Sequence, residues 1–369
     1  MTFLRKYGYS SVGFNFAIAA FTLQWYPLLN TFWHNVFNQS WTTPVYMDVG
    51  MLISSEFCAG AVLITYGALL GKTSLTQMMF IALAEPFFYA LNEAISFKLD
   101  IADVGGSMVI HTFGAFFGLA ASRVLTPAKA RGPSDNAAVY HSDLFSMIGT
   151  VFLWIFWPSF NAAFTDGDAQ TRAIVNTLLS LTASTVVAFL MSYWIRGHNK
   201  LFMVDIQNAT LAGGVSMGAA ANMVLEPATA LAIGIVAGCV SVFGFAVLQA
   251  RLERMIGLHD TCGVLNLHGM PGVLGGTWSA IAAAFASAAL YGSSFLVIFP
   301  AMDPSGIART AQWQVSMVML FYLFNFSCLG RVAIYLSAHH AGHCYYVWDH
   351  RWICRALATV PVAQDVLLG

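Results

Sequence analysis

Charge is what this chain has least of. Only 9 % of its 369 residues are Asp, Glu, Lys or Arg, and the formal net charge is −1. A soluble domain usually carries about 25 %. So few charges cannot cover a water-facing surface, and no basic run or stripe offers itself to nucleic acid. Cysteine is scarce too. Cys58, Cys239, Cys262 and Cys328 lie inside apolar runs, with only Cys344 and Cys354 beyond them. None pair in an exposed loop, so a disulfide framework is not expected. Alternating runs of about ten residues, the mark of a membrane β-strand, are missing as well. What remains is apolar: 58 % of residues are hydrophobic, and the mean hydropathy is +0.69. Lipid is the solvent such a chain fits, and its apolar runs have the roughly 20-residue length of spanning helices.

The fold expected is all-α and polytopic, with about ten spanning segments. They run near 11–30, 46–70, 75–96, 104–124, 142–163, 172–194, 202–223, 228–250, 261–289 and 313–335. Residues 1–335 then form one transmembrane unit, and 336–369 form a tail. The opening Met1–Ser10 holds Arg5 and Lys6, and the apolar stretch behind it is long enough to span rather than to serve as a signal core.

Charge sets the orientation. With the N-terminus inside, Arg5, Lys6, Lys72, Arg123, Lys129, Arg131, Arg196, Lys200, Arg251, Arg254 and Arg331 all fall on the cytoplasmic side. Only Lys98, Arg172 and Arg309 fall outside. Cytoplasmic loops carry the Lys/Arg excess, so the N-terminus and tail are expected inside. Asn38-Gln39-Ser40 then lies in the first outside loop as a glycosylation acceptor. Asn208-Ala209-Thr210 and Asn325-Phe326-Ser327 match the same pattern but sit in membrane segments, out of the modifying enzyme's reach. Small residues recur four apart at Gly114 and Gly118, Gly214 and Gly218, Gly234 and Gly238, and Gly272 and Gly276. Tight helix packing accounts for them.

An internal repeat points to a site. Asp103 is followed by Gly106 at +3, His111 at +8 and Gly118 at +15. Asp260 is followed by Gly263, His268 and Gly275 at the same offsets. The two stretches open the fourth and ninth segments. Five is odd, so these segments cross in opposite directions, as in an inverted-topology repeat with its site at the midplane. Eight residues of helix rise about 12 Å. Counted from opposite faces of a core about 30 Å thick, the two histidines meet near the middle.

An ionisable group there is costly and marks function by default. A lone histidine would more simply hydrogen-bond a neighbouring helix; a matched pair favours function. Two imidazoles can relay protons, or line a narrow pore as donors and acceptors for a small neutral molecule. Metal binding needs further ligands, and His259 sits at the cytoplasmic end, too far away. No metal or cofactor is expected, which argues against a membrane metalloenzyme.

At these residues the sequence resembles the Amt/Rh family of ammonium transporters, and within it the Rh glycoprotein branch. The resemblance is carried by Gly105-Gly-Ser-Met-Val-Ile-His-Thr-Phe-Gly-Ala-Phe-Phe-Gly-Leu119, Asp143-Leu-Phe-Ser-Met-Ile-Gly-Thr150, Trp157-Pro-Ser-Phe-Asn161, Ile206-Gln-Asn-Ala-Thr-Leu-Ala-Gly-Gly214, His259-Asp-Thr-Cys-Gly263 and Leu267-His-Gly-Met-Pro-Gly272. It covers residues 1 to about 290. It implies a channel or transporter for ammonium or ammonia, not an enzyme, assembled as a homotrimer in the plasma membrane. It implies that His111 and His268 line the pore, with Asp103 supporting ammonium binding or deprotonation. Phe57 and Phe160 look like the paired gate above the histidines; on their own they read as ordinary aromatic packing. Glu56, next to the gate, looks like a vestibule acid, and Asn161, Asn208 and Asp260 look like further pore or vestibule residues. Asp260 has a second reading as a helix cap. Glu93 reads as a helix–helix hydrogen-bonding residue, and Asp205 as a solvated helix start.

Two alternatives stand beside ammonium conduction: a gas channel passing carbon dioxide, and a non-conducting membrane scaffold, against which the intact histidines argue. The sequence also departs from the family. Members of this branch have membrane segments before the stretch matching Met1 to Gly8, so an upstream helix is expected to be missing. The tail from Trp313 lacks the glycine-rich last helix and acidic end. It gives instead Phe321-Tyr-Leu-Phe-Asn-Phe-Ser327 and His339-His340-Ala-Gly-His343-Cys344, whose histidines read as incidental. The expectation is a coding sequence incomplete or misassembled at both ends.

Overall fold

In lipid every backbone N–H and C=O must find its partner inside the segment, and the long apolar runs do so as helices. The computed structural model describes residues 2–126, 137–197 and 201–302. Among them α1 spans Gly8–Asn38, α2 Val49–Leu69 and α3 Leu75–Lys98. Next come α4, Ser107–Leu125, α5, Tyr140–Asn161, and α6, Gly167–Arg196. The series closes with α7, Met203–Met217, α8, Pro227–Ile256, α9, Leu265–Ala284, and α10, Ala288–Ile298. Local signals set several ends. Asp48 accepts from Met51 N at 2.7 Å to start α2. Ser74 and Gln77 form a reciprocal capping box for α3.

Nine of the ten expected segments lie in described residues, and each coincides with one of α1–α9. Among the described residues seven helices are long and apolar enough to cross a membrane, and α9 with α10, bent by 102°, makes an eighth candidate. At 15 residues α7 is shorter, but it is buried on nearly every side, as a helix inside a bundle should be. The tenth segment, 313–335, and the tail with its histidines lie outside the described residues, as do Asn325 and Cys328.

The offset of five appears again in the packing. In the first half α1 packs on α2 and α3, and α2 on α4. In the second, α6 packs on α7 and α8, and α7 on α9. Glycines allow the closest approaches. A Cβ on Gly114 would stand 2.6 Å from the Ala61 carbonyl oxygen, and one on Gly118 would stand 2.8 Å from Thr65 Cα. This is the packing expected of small residues at four-residue spacing. α5 falls between the halves, and the segment expected five places on, 313–335, lies outside the described residues.

Asp205 corrects one expectation. It is fully buried, not solvated. Arg196 grips it with Nη2 at 2.6 Å and Nε at 2.9 Å, and Ser192 adds a third donor at 2.9 Å. A bidentate guanidinium is the partner that lets a carboxylate be buried. Glu93 behaves as expected of a helix–helix tie: Tyr26 and Asn30 of α1 both donate to it.

Candidate functional site: a cavity with twin histidines

The repeat motif has a local structural meaning at each position. Gly106 and Gly263 both adopt left-handed backbone, at φ +67° and +73°, where glycine is the undemanding choice. A Cβ on Gly263 would also stand 2.0 Å from Phe245 Cε1. The aspartates cap the helices that follow. Asp103 Oδ2 accepts from Met108 N at 2.9 Å and Val109 N at 2.8 Å. The Asp260 oxygens accept from Val264 N and Leu265 N, both at 2.9 Å. Each histidine then rides on one π-turn, Ser107–Thr112 for His111 and Leu265–Gly269 for His268. Such turns shift side chains off the α-helical register and recur at functional sites.

The two rings meet. His111 Nδ1 lies 3.1 Å from His268 Nδ1, and the rings stack at 5.2 Å with 14° between their planes. A single hydrogen bridges the two Nδ1 atoms, so one ring is bare at Nε2 and the other carries Nε2–H. His111 is 4 % exposed. Its start is fixed to α7 by Ser107 Oγ donating to the Val215 carbonyl at 2.6 Å and accepting from Ala219 N at 2.7 Å. Both imidazoles border a cavity of about 570 Å³ lined by α1, α2, α5 and the α9 turn, with Trp157, Phe160 and Asn208 on its wall.

Aromatic rings close on the histidines. Phe57 and Phe160 lie 4.7 Å apart between centroids, Phe164 meets Phe57 edge-on at 5.4 Å, and Phe160 reaches His111 at 5.8 Å. Trp157 stacks on His111 at 5.7 Å. Trp157 and Phe164 received no role from the sequence. Trp157 precedes Phe160 by three positions, so the two share a helix face, and that spacing was the available signal.

The other expected residues divide. Asp103 Oδ1 is buried and has no hydrogen-bond partner, while burial pushes the Asp103 carboxyl up to about 6 against the backbone N–H donors. Glu56 is exposed one residue before Phe57. Asn208 reaches the cavity wall, its Nδ2 donating to the Val204 carbonyl at 2.7 Å. Asn161 is turned from the cavity and ties α5 to α6 and α7, donating to Thr177 Oγ1 and the Gly214 carbonyl at 3.0 Å. Asp260 acts as the helix cap and borders a different, small pocket. Asn38 is exposed at the last residue of α1. No group of three metal-ligating side chains gathers among the described residues.

Beside Asp260 lies a cluster the sequence did not suggest. Lys72 Nζ is buried and donates to Ser122 Oγ at 2.6 Å and to the His259 carbonyl at 2.8 Å, and lies 3.0 Å from His259 Nδ1. Three acceptors match the three hydrogens of an ammonium head, although burial pulls Lys72 down to about 7, with Asp260, Cys262 and Glu253 opposing. The inner aspartate thus has both oxygens engaged and a cation near it, whereas the outer one keeps an oxygen free.

A sequence model described as Ammonium Transporter Family matches residues 1–337. The chain belongs to the ammonium transporter family. The Rh type B ammonium transporter of Takifugu rubripes is 45 % identical over 337 residues, which is 90 % of this chain and 73 % of that protein. The Rattus norvegicus protein of the same description is 47 % identical over 333 residues, 89 % of this chain and 72 % of its own. Among solved structures, Rh50 of Nitrosomonas europaea superposes with a TM-score of 0.74 at 30 % identity, covering 96 % of this chain and 89 % of its own. A sensor Amt protein, at 20 % identity and a TM-score of 0.61, shares the fold. This family is one of transporters and channels, not enzymes, and its member here is a multi-pass membrane protein.

Proposed function

We propose that this chain passes ammonium nitrogen across the membrane as neutral ammonia, along His111 and His268, after removing a proton on the outer side. The observation that carries this is the 3.1 Å contact between the two imidazoles at the cavity wall. Moving an ion into a dry, low-dielectric constriction costs on the order of 20 kcal/mol in the idealised limit. Ammonia surrenders only a few hydrogen bonds, at roughly 1–3 kcal/mol each. The histidine pair replaces some of these, because one bare Nε2 accepts and the other Nε2–H donates, and ammonia does both.

The remaining residues take roles around that pair. Glu56 and the aromatic faces of Phe57 and Phe160 draw ammonium in, and the two rings gate the way to His111. Asp103 Oδ1 accepts the proton, or orders the ammonium that gives it up. Asn208 supplies a further polar contact on the cavity wall. We place the protein in the plasma membrane as a homotrimer, with the N-terminus and tail cytoplasmic and Asn38 outside and glycosylated.

The test is flux through purified, reconstituted protein carrying His111→Ala or His268→Ala. Each substitution removes the bridging hydrogen bond, and the expected outcome is altered ammonium flux or altered ion selectivity in a protein that still folds. Unchanged transport in both variants would make the histidines structural and end this reading.

A further inference from the structure

The two matched aspartates of the repeat have different surroundings. Asp103 is acted on by burial and by the backbone N–H groups of Ser107, Met108 and Val109, and its Oδ1 has no partner. Asp260 is acted on by burial, by the N–H groups of Gly263, Val264 and Leu265, and also by Lys72. The lysine is what sets the inner aspartate apart from the outer one.

Lys72 stands in the turn between α2 and α3, its own N–H donating to the Leu69 carbonyl at 3.0 Å. It is 6 % exposed, as is Asp260. A lysine is almost never buried so far without an acid to answer it. Its head joins α4, through Ser122, to the loop before α9, through His259. The hydrogens there can be counted. Ser122 Oγ donates to the His259 carbonyl, so its one hydrogen is spent and Lys72 is the donor to Ser122. The His259 carbonyl takes a second hydrogen from Lys72 at 2.8 Å. A neutral amine has no third for His259 Nδ1 at 3.0 Å; an ammonium head has. The acids facing that head are Asp260, Cys262 on the same loop, and Glu253 at the end of α8. Burial pushes the Cys262 thiol up to about 12, so it stays neutral. The loop is also pinned to the end of α2: Thr261 Oγ1 donates to the Ala68 carbonyl at 3.1 Å, and Cys262 N to the Gly67 carbonyl at 3.2 Å. Asp260 is thereby held at a fixed place relative to Lys72.

We propose that Lys72 keeps Asp260 ionised and so confines proton exchange with ammonium to the outer mouth, at Asp103. This rests on the reading that ammonium loses its proton at Asp103. Lys72 touches neither the cargo nor a histidine; it is a positioning residue that works through Asp260. Two things follow. An ionised Asp260 offers both oxygens to Val264 N and Leu265 N, which holds the π-turn under His268. Ammonia that has passed His268 also finds no carboxylic acid at Asp260 to protonate it inside the protein. The pH range fits this role. Burial pulls Lys72 down to about 7, so its charge is present below that pH and lost above it. Below neutrality is where a carboxyl pushed up by burial, as Asp260 is, needs a cation to stay ionised.

The test uses the full chain in proteoliposomes, with the same pH on both sides across a series of values. Initial alkalinisation rates under an ammonium gradient are expected to give the unsubstituted protein one acid limb, from Asp103. Lys72→Met removes the cation, and the midpoint of the limb is expected to rise by about one pH unit or more, the effect of a neighbouring charge on a carboxylate. Lys72→Arg keeps the charge and should keep the midpoint. Lys72→Met combined with Asp260→Asn leaves no inner carboxyl to protonate and should bring the midpoint back. A lysine that only ties elements together would change rates and leave the midpoint alone. A second readout needs neither transport nor a folded Lys72→Met. Infrared difference spectra between the unsubstituted protein and Asp260→Asn, taken at about pH 6, where Asp103 is half ionised, should show the loss of carboxylate bands and no loss of a carboxylic-acid carbonyl band. Alkalinisation no faster than in empty vesicles would sink the pore reading, and this role with it. With alkalinisation intact, three results overturn the role of Lys72 alone: an unmoved midpoint in Lys72→Met, a shift shared by Lys72→Arg, or a shift that survives Asp260→Asn. A carboxylic-acid band that Asp260→Asn removes overturns it as well.

Discussion

Asp103 uses its two oxygens differently. Oδ2 caps the π-turn that carries His111, and Oδ1 is buried without a hydrogen-bond partner. Burial raises the carboxyl to about 6, above the ordinary carboxylate value of about 3.9, so the folded state holds the proton more tightly than a free chain does. The sign for transport follows: ionised Asp103 is plentiful above pH 6 and lost as pH falls through it. Ammonium uptake at fixed ammonium concentration is expected to decline as the outer pH drops through about 6. Asp103→Asn should remove most uptake and flatten what remains of this profile, read as initial rates in vesicles. A profile indifferent to pH in the unsubstituted protein would take Asp103 out of the proton step. Gly263→Ala tests the backbone instead. It places a Cβ at positive φ and against Phe245. The strain alone costs about 1–2 kcal/mol, so the thermal unfolding midpoint in detergent should fall, while a conservative change at exposed Phe285 should not move it.

At the scale of elements, the sequence disclosed its helices and one register. Nine apolar runs became α1–α9, and the Asp, Gly and His offsets foretold that α4 and α9 would start alike. The π-turns under the histidines stayed hidden, because one widened turn leaves no mark in composition or periodicity. Asp205 was misread for a related reason: a lone acid near a helix start does not reveal that Arg196, nine residues earlier, folds back to pair with it. The Lys72 cluster was hidden because its partners lie 50 and 187 residues away. Helix contacts carry their own prediction. A Cβ at Gly234 would stand 2.1 Å from the Ser180 carbonyl oxygen, where α8 crosses α6. Gly234→Val is expected to lower stability by about 1–3 kcal/mol through overpacking. Unchanged melting would mean that this crossing has room for the larger side chain.

Across the whole molecule the apolar surface is the membrane's share. α5 presents Leu144, Ile148, Phe152, Ile155 and Phe156 outward, as lipid- or subunit-facing residues do. The large cavity lies between this helix and the α1–α2 pair. Orientation can be checked at Asn38. With α1 ending outside, Asn38→Gln should abolish a glycan-dependent mobility shift in a eukaryotic host, and a glycan that persists would come from another site. The central claim concerns what passes between the histidines, and stopped-flow pH recording in proteoliposomes addresses it most directly. An inward ammonium gradient is expected to alkalinise vesicles holding the full chain faster than empty ones, with His111→Ala or His268→Ala changing that rate or its ion selectivity. Alkalinisation no faster than in empty vesicles would contradict the account.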